Sequence, residues 1–327
     1  MHAIIATAAG GPDVLDLIEV DDPTPGPRDL LVRTVAAGVN FIDTYRRAGV
    51  YPMTYPHVVG SEGAGEVVAV GSQVDGFAVG DLVAWADAPS SYAELVVVPA
   101  RAALPVPAGV DPLVAAALPL QGMTAHYLVA STFPVTEGQE VLVHAAAGGV
   151  GLLLTQLAVA RGARVIGTVG TPEKEELARA AGATDVIRYT ELQDLTEELP
   201  AIVRGLTGGK GVHTVFDGVG RSTFDASLAS LRPRGGLALF GGASGQVPPV
   251  DPQLLNRAGS VFLTRPTLAH YTASAEETRW RSGELFAAVA EGTLDVRIGA
   301  QYPLEEAAEA HRALEGRETT GKVVLVA

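Results

Sequence analysis

A chain of 327 residues with 37 acidic and 23 basic side chains, net charge −14, lacks the basic footprint that nucleic acid or an anionic membrane surface demands. Hydrophobic residues make up 47% and charged ones 18%, the balance of a globular chain with room for roughly two domains. It has no cysteine, which excludes disulfides, thiol catalysis and thiolate metal sites together. Met1 to Ile5 show no charged segment running into a long apolar stretch, and no apolar run approaches bilayer length. The expectation is a cytoplasmic protein without a leader or a membrane span.

Residues 1–121 read as strands and turns with little helix, a twisted, barrel-like β domain. The β-branched runs 30–35 and 65–70 are strands, the second stopping at Gly71. Pro23, Pro25 and Pro27 make a rigid turn, and Gly76 to Asp81 turns into a strand at 82–85. From 122 to 263 the pattern alternates strand and helix. Strands are expected at 140–144, 164–169, 185–187, 214–217, 237–240 and 260–263. A helix over 148–160 stops before Gly162, and another opens with Thr171 as N-cap and Pro172 at the first helical position. Six strands with helices between them imply a doubly wound parallel sheet. The remainder, 264–327, holds a helix around 282–291 and ends in the strand 322–326, which returns to the first domain and makes it discontinuous.

Ala145-Ala146-Ala147-Gly148-Gly149-Val150-Gly151 joins a strand to a helix. Small residues let backbone approach a pyrophosphate, and the helix N-terminus offers free N–H groups. A glycine cluster alone also serves tight turns. The strand before it, the helix after it and a second such unit downstream make the dinucleotide reading the stronger one. An NAD site wants an acid at the end of the second strand, to bond the ribose 2′-OH. Here that strand ends Thr168-Val169-Gly170 without one, and Lys174 follows in the first helical turn, where a cation is otherwise unfavourable. The pair of features points to a 2′-phosphate, hence NADPH. The competing reading is a surface lysine offset by Glu173, Glu175 and Glu176. Tyr189, just past the third strand, can cover the adenosine end.

Asn40-Phe41-Ile42-Asp43-Thr44-Tyr45, the 60–65 stretch Gly-Ser-Glu-Gly-Ala-Gly, the 145–151 turn, Gly167 to Thr171, and Thr264-Arg265-Pro266 are similar to the NADPH:quinone oxidoreductase (ζ-crystallin-like) family. That family is the zinc-free branch of the medium-chain dehydrogenase/reductase superfamily. Asn40 and Ser61 stand in stretches resembling those where the zinc branch carries a ligand Cys and His, and no four-Cys lobe lies between Tyr92 and Gln121. Neither Asn nor Ser is a catalytic zinc ligand, so no metal is expected. The resemblance covers essentially the whole chain. It implies a GroES-like β-barrel catalytic domain, 1–121 with 264–327, a Rossmann domain, 122–263, and NADPH in a cleft between them. Carried over by position, it implies Asn40, Phe41, Asp43, Tyr45, Tyr51 and Thr124 at the nicotinamide end. Ala147, Gly148, Gly149 and Val150 would hold the pyrophosphate, beside Gly170. Lys174, Tyr189 and Arg317 would stand near the adenosine phosphate, with Phe240, Gly241, Thr264 and Arg265 over the cofactor. It also implies a homodimer paired through a Rossmann sheet edge.

Hydride transfer to a quinone needs little beyond positioning, exclusion of water and hydrogen bonds to the developing oxyanion. Tyr45 and Tyr51 are the candidate donors, and Asn40 a candidate for orienting substrate or nicotinamide; packing aromatics at a rim are the alternative for both tyrosines. Glu62 reads as a structural anchor to backbone or a cation, and His144 as core packing. The seven histidines show no ligand spacing. Quinone reduction is the leading function. Reduction of activated C=C bonds in 2-alkenals or enones is a second, and a non-catalytic NADPH-binding sensor or RNA-binding protein a third.

Overall fold

The computed structural model describes all 327 residues. They form two compact units, residues 1–123 with 275–327, and residues 124–274. The return to the first unit thus comes at 275 rather than at 264. The reason is local: residues 262–264 form a strand of the second unit's sheet, and the helical turn Leu268–Tyr271 stays with that unit.

In chain order the strands are β1 (His2–Ala6), β2 (Leu15–Glu19), β3 (Asp29–Val39), β4 (His57–Val58), β5 (Glu62–Val70), β6 (Leu82–Trp85), β7 (Leu95–Pro99) and β8 (Leu104–Pro105). They continue as β9 (Glu140–Val143), β10 (Arg164–Val169), β11 (Asp185–Arg188), β12 (Val212–Asp217), β13 (Leu231–Leu239), β14 (Phe262–Thr264), β15 (Ile298–Pro303) and β16 (Lys322–Val326). The helices are α1 (Phe41–Arg47), α2 (Pro112–Ala117), α3 (Pro119–Tyr127), α4 (Gly149–Val159), α5 (Pro172–Ala180), α6 (Leu195–Leu206), α7 (Phe224–Ser230), α8 (Pro252–Arg257), α9 (Leu268–Tyr271), α10 (Ala275–Ala290) and α11 (Ala307–Glu315).

The first unit is built on a seven-stranded sheet with path β15-β16-β3-β5-β6-β8, β7 pairing with β3, and a small sheet β2-β1-β4. Antiparallel β3 is its hub, pairing with β5, β7 and β16. Its inward residues Leu30, Val32, Ala37 and Val39 enter two apolar clusters, one around Trp85 and one around Tyr92 and Leu304. The register sets Gly38 opposite Glu62 on one side and Val324 on the other, so the C-terminal strand lies beside residues nearly three hundred positions earlier.

The second unit is a six-stranded sheet in the order β11-β10-β9-β12-β13-β14, every pairing parallel. Its core joins Leu142, Ile166, Val215 and Leu237 from the strands to Leu199, Val203 and Phe224 from the helices. Strand order reverses between β9 and β12, and ligands of such sheets bind at the carboxyl ends of the strands at that switch point. The turn 145–151 stands there. No helix is long and apolar enough to cross a membrane.

Candidate active site

Helix α1 is short and carries Ile42 and Thr44, poor helix formers. It forms because its ends are tied. The Asp43 carboxylate accepts the Asn40 N–H (3.0 Å), the reciprocal half of a capping box, and Arg46 and Arg47 sit in the last turn, where cations suit the dipole. Phe41 and Tyr45 fall one turn apart with ring centroids 6.1 Å from each other, and Tyr51 meets Tyr45 edge-on at 5.9 Å and 77°.

Beneath α1 lies a polar cluster sealed from water. Asn40 is 3% exposed, Glu62 0% and Lys322 1%. Lys322 Nζ donates to Asn40 Oδ1 (2.8 Å) and to Glu62 Oε2. Asn40 Nδ2 donates to Glu62 Oε2 (2.7 Å) and to Gly38 O (3.2 Å), while Gln121 Nε2 donates to Asn40 Oδ1 (3.3 Å). An ammonium only donates and a carboxylate only accepts, so the orientation of the Asn40 amide follows from its partners. Its carboxamide is fully engaged inside the fold. Glu62 Oε1 accepts the Leu120 N–H (2.6 Å) in the first turn of α3, a favourable seat for a carboxylate. Burial pushes the Lys322 ammonium down, and Glu62 pulls it back up. Gly38 leaves the room: a Cβ there would meet the Glu62 carboxylate and lie 2.8 Å from Lys322 Cε.

A second chain of bonds runs from Asp43 to α11. Arg47 Nη1 lies 2.9 Å from His311 Nδ1, and a guanidinium cannot accept, so Nδ1 accepts and the proton is on Nε2. His311 Nε2–H then donates to the Tyr92 hydroxyl (3.1 Å), which donates to Asp43 Oδ2 (3.2 Å). Arg47 completes the line with an ion pair to Glu315 at 2.8 Å. Burial lifts Asp43 to about 6, against the pull of Arg46. Burial, with Arg47 alongside, holds His311 down at about 3. A histidine depressed in the fold binds fewer protons there than in the unfolded chain. Its contribution is therefore complete above the unfolded value near 6.5 and is lost as pH falls toward 3. Asp43, raised in the fold, works the other way: its contribution is fully present below 3.8 and is lost as pH rises through about 6. We predict that the stability advantage of wild type over His311→Gln, read by urea denaturation, shrinks steadily from pH 7 to pH 4. A gap that stays constant across that range contradicts the assignment.

These residues do not fit a metal. The Asn40 carboxamide, the Ser61 hydroxyl and the Glu62 carboxylate are not a zinc donor set. Each is also engaged: Asn40 and Glu62 by the Lys322 ammonium, and Ser61 Oγ as acceptor from Arg46 Nη1 and donor to Asp43 Oδ1 (3.3 Å). A divalent cation here would face an ammonium and a guanidinium. Each of the two positions holds a protein cation instead.

In the second unit the turn after β9 is as tight as its sequence suggests. Ala145 takes φ +52°, Ala146 N–H bonds Thr168 O (3.0 Å), and Gly148 N–H bonds Ala145 O (2.9 Å). A Cβ on Gly151 would run into Ala145 O and lie 2.8 Å from Ala146 Cα. Gly148 is the N-cap of α4, and the first N–H groups of that helix have no intrahelical acceptor. Such a turn fits the pyrophosphate of a dinucleotide. Thr171 caps α5, its Oγ accepting Lys174 N–H (3.3 Å), with Pro172 at the first position. The Tyr189 ring lies against Gly170, where a Cβ would come within 2.7 Å of its hydroxyl. Asp217, at the end of β12, accepts from Val219 and Gly220 N–H, Thr223 and Ser227. Ser227 in turn accepts from His144 Nε2–H (3.0 Å), whose Nδ1 takes the Thr168 hydroxyl, so buried His144 is a structural link. Gly241 packs on Gly218, and Arg265 Nη1 donates to Phe240 O (2.9 Å) beside Thr264, bringing those residues together.

Asn40, Phe41, Asp43, Tyr45, Tyr51 and Arg317 thus stand in the first unit, and Thr124, the 147–150 turn, Gly170, Lys174, Tyr189, Phe240, Gly241, Thr264 and Arg265 in the second. Asp43 is wholly buried and Asn40 nearly so, while Tyr51 is 39% exposed. Arg317 adopts φ +59° just past α11. Lys322, Arg46, Tyr92 and His311 escape a reading along the chain. The available signal for Lys322 is a lone cation opening the apolar strand Lys-Val-Val-Leu-Val.

Two families match: the alcohol dehydrogenase GroES-like domain over residues 26–108 and the zinc-binding dehydrogenase over 149–281. The quinone oxidoreductase of Pseudomonas aeruginosa is 44% identical over 321 residues, 98% of this chain and 97% of that protein. The 2-haloacrylate reductase of a Burkholderia species is 42% identical over 99% of this chain and 98% of its own length. A mycobacterial protein solved in complex with NADPH is 52% identical, covers 100% of both chains and superposes with a TM-score of 0.97. With a GroES-like sheet unit, a doubly wound parallel sheet and full-length identity of this order, the chain belongs to the quinone oxidoreductase family.

Proposed function

We propose that this protein is an NADPH-dependent quinone reductase that works without a protein-bound metal. The observation that carries this reading is the pair of protein cations at Asn40 and Ser61, which leaves no donor set for a Lewis acid. Without one, the substrate must already be electron-poor, as a quinone is. Its reduced anion is delocalised and needs only hydrogen bonds.

Bound NADPH supplies the hydride. The α4 N-terminus and Ala147 to Val150, beside Gly170, bind its pyrophosphate, and Lys174, with Tyr189 and Arg317, its adenosine phosphate. Phe240, Gly241, Thr264 and Arg265 cover it, with Thr124 and Phe41 at the nicotinamide end. Asn40 and Asp43 hold the start of α1, so that Tyr45 and Tyr51 stand at a set angle and donate to the acceptor oxygen that gains charge. We predict that Lys174→Ala weakens NADPH binding at least tenfold, about 1.4 kcal/mol, while NADH binding stays within about twofold. Fluorescence titration with both cofactors checks this, and equal losses would refute the 2′-phosphate assignment.

The reading includes a cytoplasmic homodimer paired through β14, an edge strand with Phe262 60% exposed. A monomer by sedimentation equilibrium contradicts the dimer. A second reading, reduction of activated C=C bonds, is favoured by the likeness to 2-haloacrylate reductase. NADPH oxidation with 1,4-benzoquinone, a 2-alkenal and 2-chloroacrylate separates the two. Inert quinone with a reactive alkene would replace the first reading by the second, and tight NADPH binding with no turnover would favour a sensor.

A further inference from the structure

The two arginines at the end of α1 are used very differently. Arg47 is 2% exposed and consumed by the fold, bonded to Gly10 O, His311 and Glu315. Arg46 is half-buried and makes a single hydrogen bond, from Nη1 to the neutral Ser61 hydroxyl. It forms no ion pair, although the chain holds 37 carboxylates against 23 cations. Asp43 feels the charge of Arg46, but their hydrogen-bond link runs through Ser61, and Asp43 already accepts from Asn40 N–H and Tyr92.

Ser61 is 4% exposed and pinned by its own bond to Asp43, so it seats the guanidinium at one orientation. The rest of the planar fork keeps its donors, in the geometry that matches a carboxylate or sulfonate two bonds at a time. Holding the group in place beforehand lowers the entropic cost of such a contact. Arg46 also follows directly on Tyr45, the proposed donor to the acceptor oxygen. The overall charge of −14 repels anions at long range, so any preference for an anionic acceptor must come from a local cation.

We propose that Arg46 is a specificity residue that selects electron acceptors bearing a carboxylate or sulfonate next to the reducible ring or double bond. The proposal rests on the reductase reading above and names the substrate class of that same site. It gives Arg46 no part in hydride transfer itself.

The test compares 1,2-naphthoquinone with 1,2-naphthoquinone-4-sulfonate, which differ only in the anionic group, as acceptors for NADPH oxidation. The readout is the ratio of kcat/KM for the sulfonate over the neutral quinone. Arg46→Met should lower this ratio at least tenfold, mainly through KM, and Arg46→Lys, which keeps the charge but loses the fork, should restore part of it. Raising the salt concentration should lower the wild-type ratio and leave that of Arg46→Met flat. If Arg46→Met does not fold, Arg46→Lys and the salt series carry the test. A ratio indifferent to substitution and salt overturns the proposal while the reductase reading stands. So does a loss that appears only in NADPH affinity. A wild-type protein that oxidises NADPH with neither quinone nor with 2-chloroacrylate overturns both.

Discussion

Replacing Lys322 by methionine removes about 3–5 kcal/mol of stability, the cost of leaving one member of a buried ion pair without its partner. The reason lies in what the ammonium touches. Glu62 is 0% exposed and shares its Oε2 between Lys322 and Asn40, and the Asn40 carbonyl leans on the same ammonium. With the cation gone, the Glu62 carboxylate is left buried without its charge partner. The double variant Lys322→Met with Glu62→Gln removes both charges and should recover more than half of the loss, since a buried pair as a whole is worth little against neutral replacements. Urea denaturation of the four proteins closes the cycle. A single variant as stable as wild type, or a double variant no better than the single, would mean that the pair does not anchor β5 to β16. The strand register makes the effect long-range, because this pair joins residues on either side of β3.

Gly151→Ala should reduce NADPH affinity at least tenfold, about 1.4 kcal/mol or more, while the second unit remains folded. The added methyl meets Ala145 O and lies 2.8 Å from Ala146 Cα, and both are backbone atoms that cannot swing aside. Ala145 already sits at φ +52°, so the turn has little conformational slack. Relief requires the α4 N-terminus to move away from β9, and with it the N–H groups proposed to bind the pyrophosphate. Gly205→Ala is the matched control. That glycine lies inside α6 with nothing within 4 Å of the new methyl, so the substitution should leave binding untouched and raise stability by about 0.5–1 kcal/mol. Equal NADPH affinity in wild type and Gly151→Ala, by fluorescence titration, would remove the turn from the cofactor site.

The second unit was the more legible from sequence, because its elements obey local rules. Buried parallel strands read as apolar β-branched runs, and Thr171-Pro172 or Gly148-Gly149 mark helix starts wherever they occur. The first unit hides its organisation in contacts far apart in the chain. Helix α1 falls in a stretch rich in β-branched and aromatic residues and exists because Asp43 reaches back to Asn40. Helix α10 begins at Ala275, several residues before the apolar spacing around 282 announces it. The partners of Asn40 and Ser61 posed the sharpest limit. The absence of metal ligands was visible in the residue types, but the cations that stand there come from the next turn of α1 and from the last strand. No spacing rule connects Asn40 to Lys322. Asn40 itself changes character: residue type made it a group free to orient substrate, whereas its carboxamide is spent on Lys322, Glu62, Gln121 and Gly38.

If protein cations rather than a metal complete the proposed site, quinone reduction by NADPH survives the removal of zinc. The most direct test of this is NADPH oxidation by 1,4-benzoquinone, using protein dialysed against a chelator and assayed for zinc by mass spectrometry. Full turnover is expected in protein holding far less than one zinc per chain, with no gain when zinc is added back. No turnover in the dialysed protein, restored by stoichiometric zinc, would contradict it.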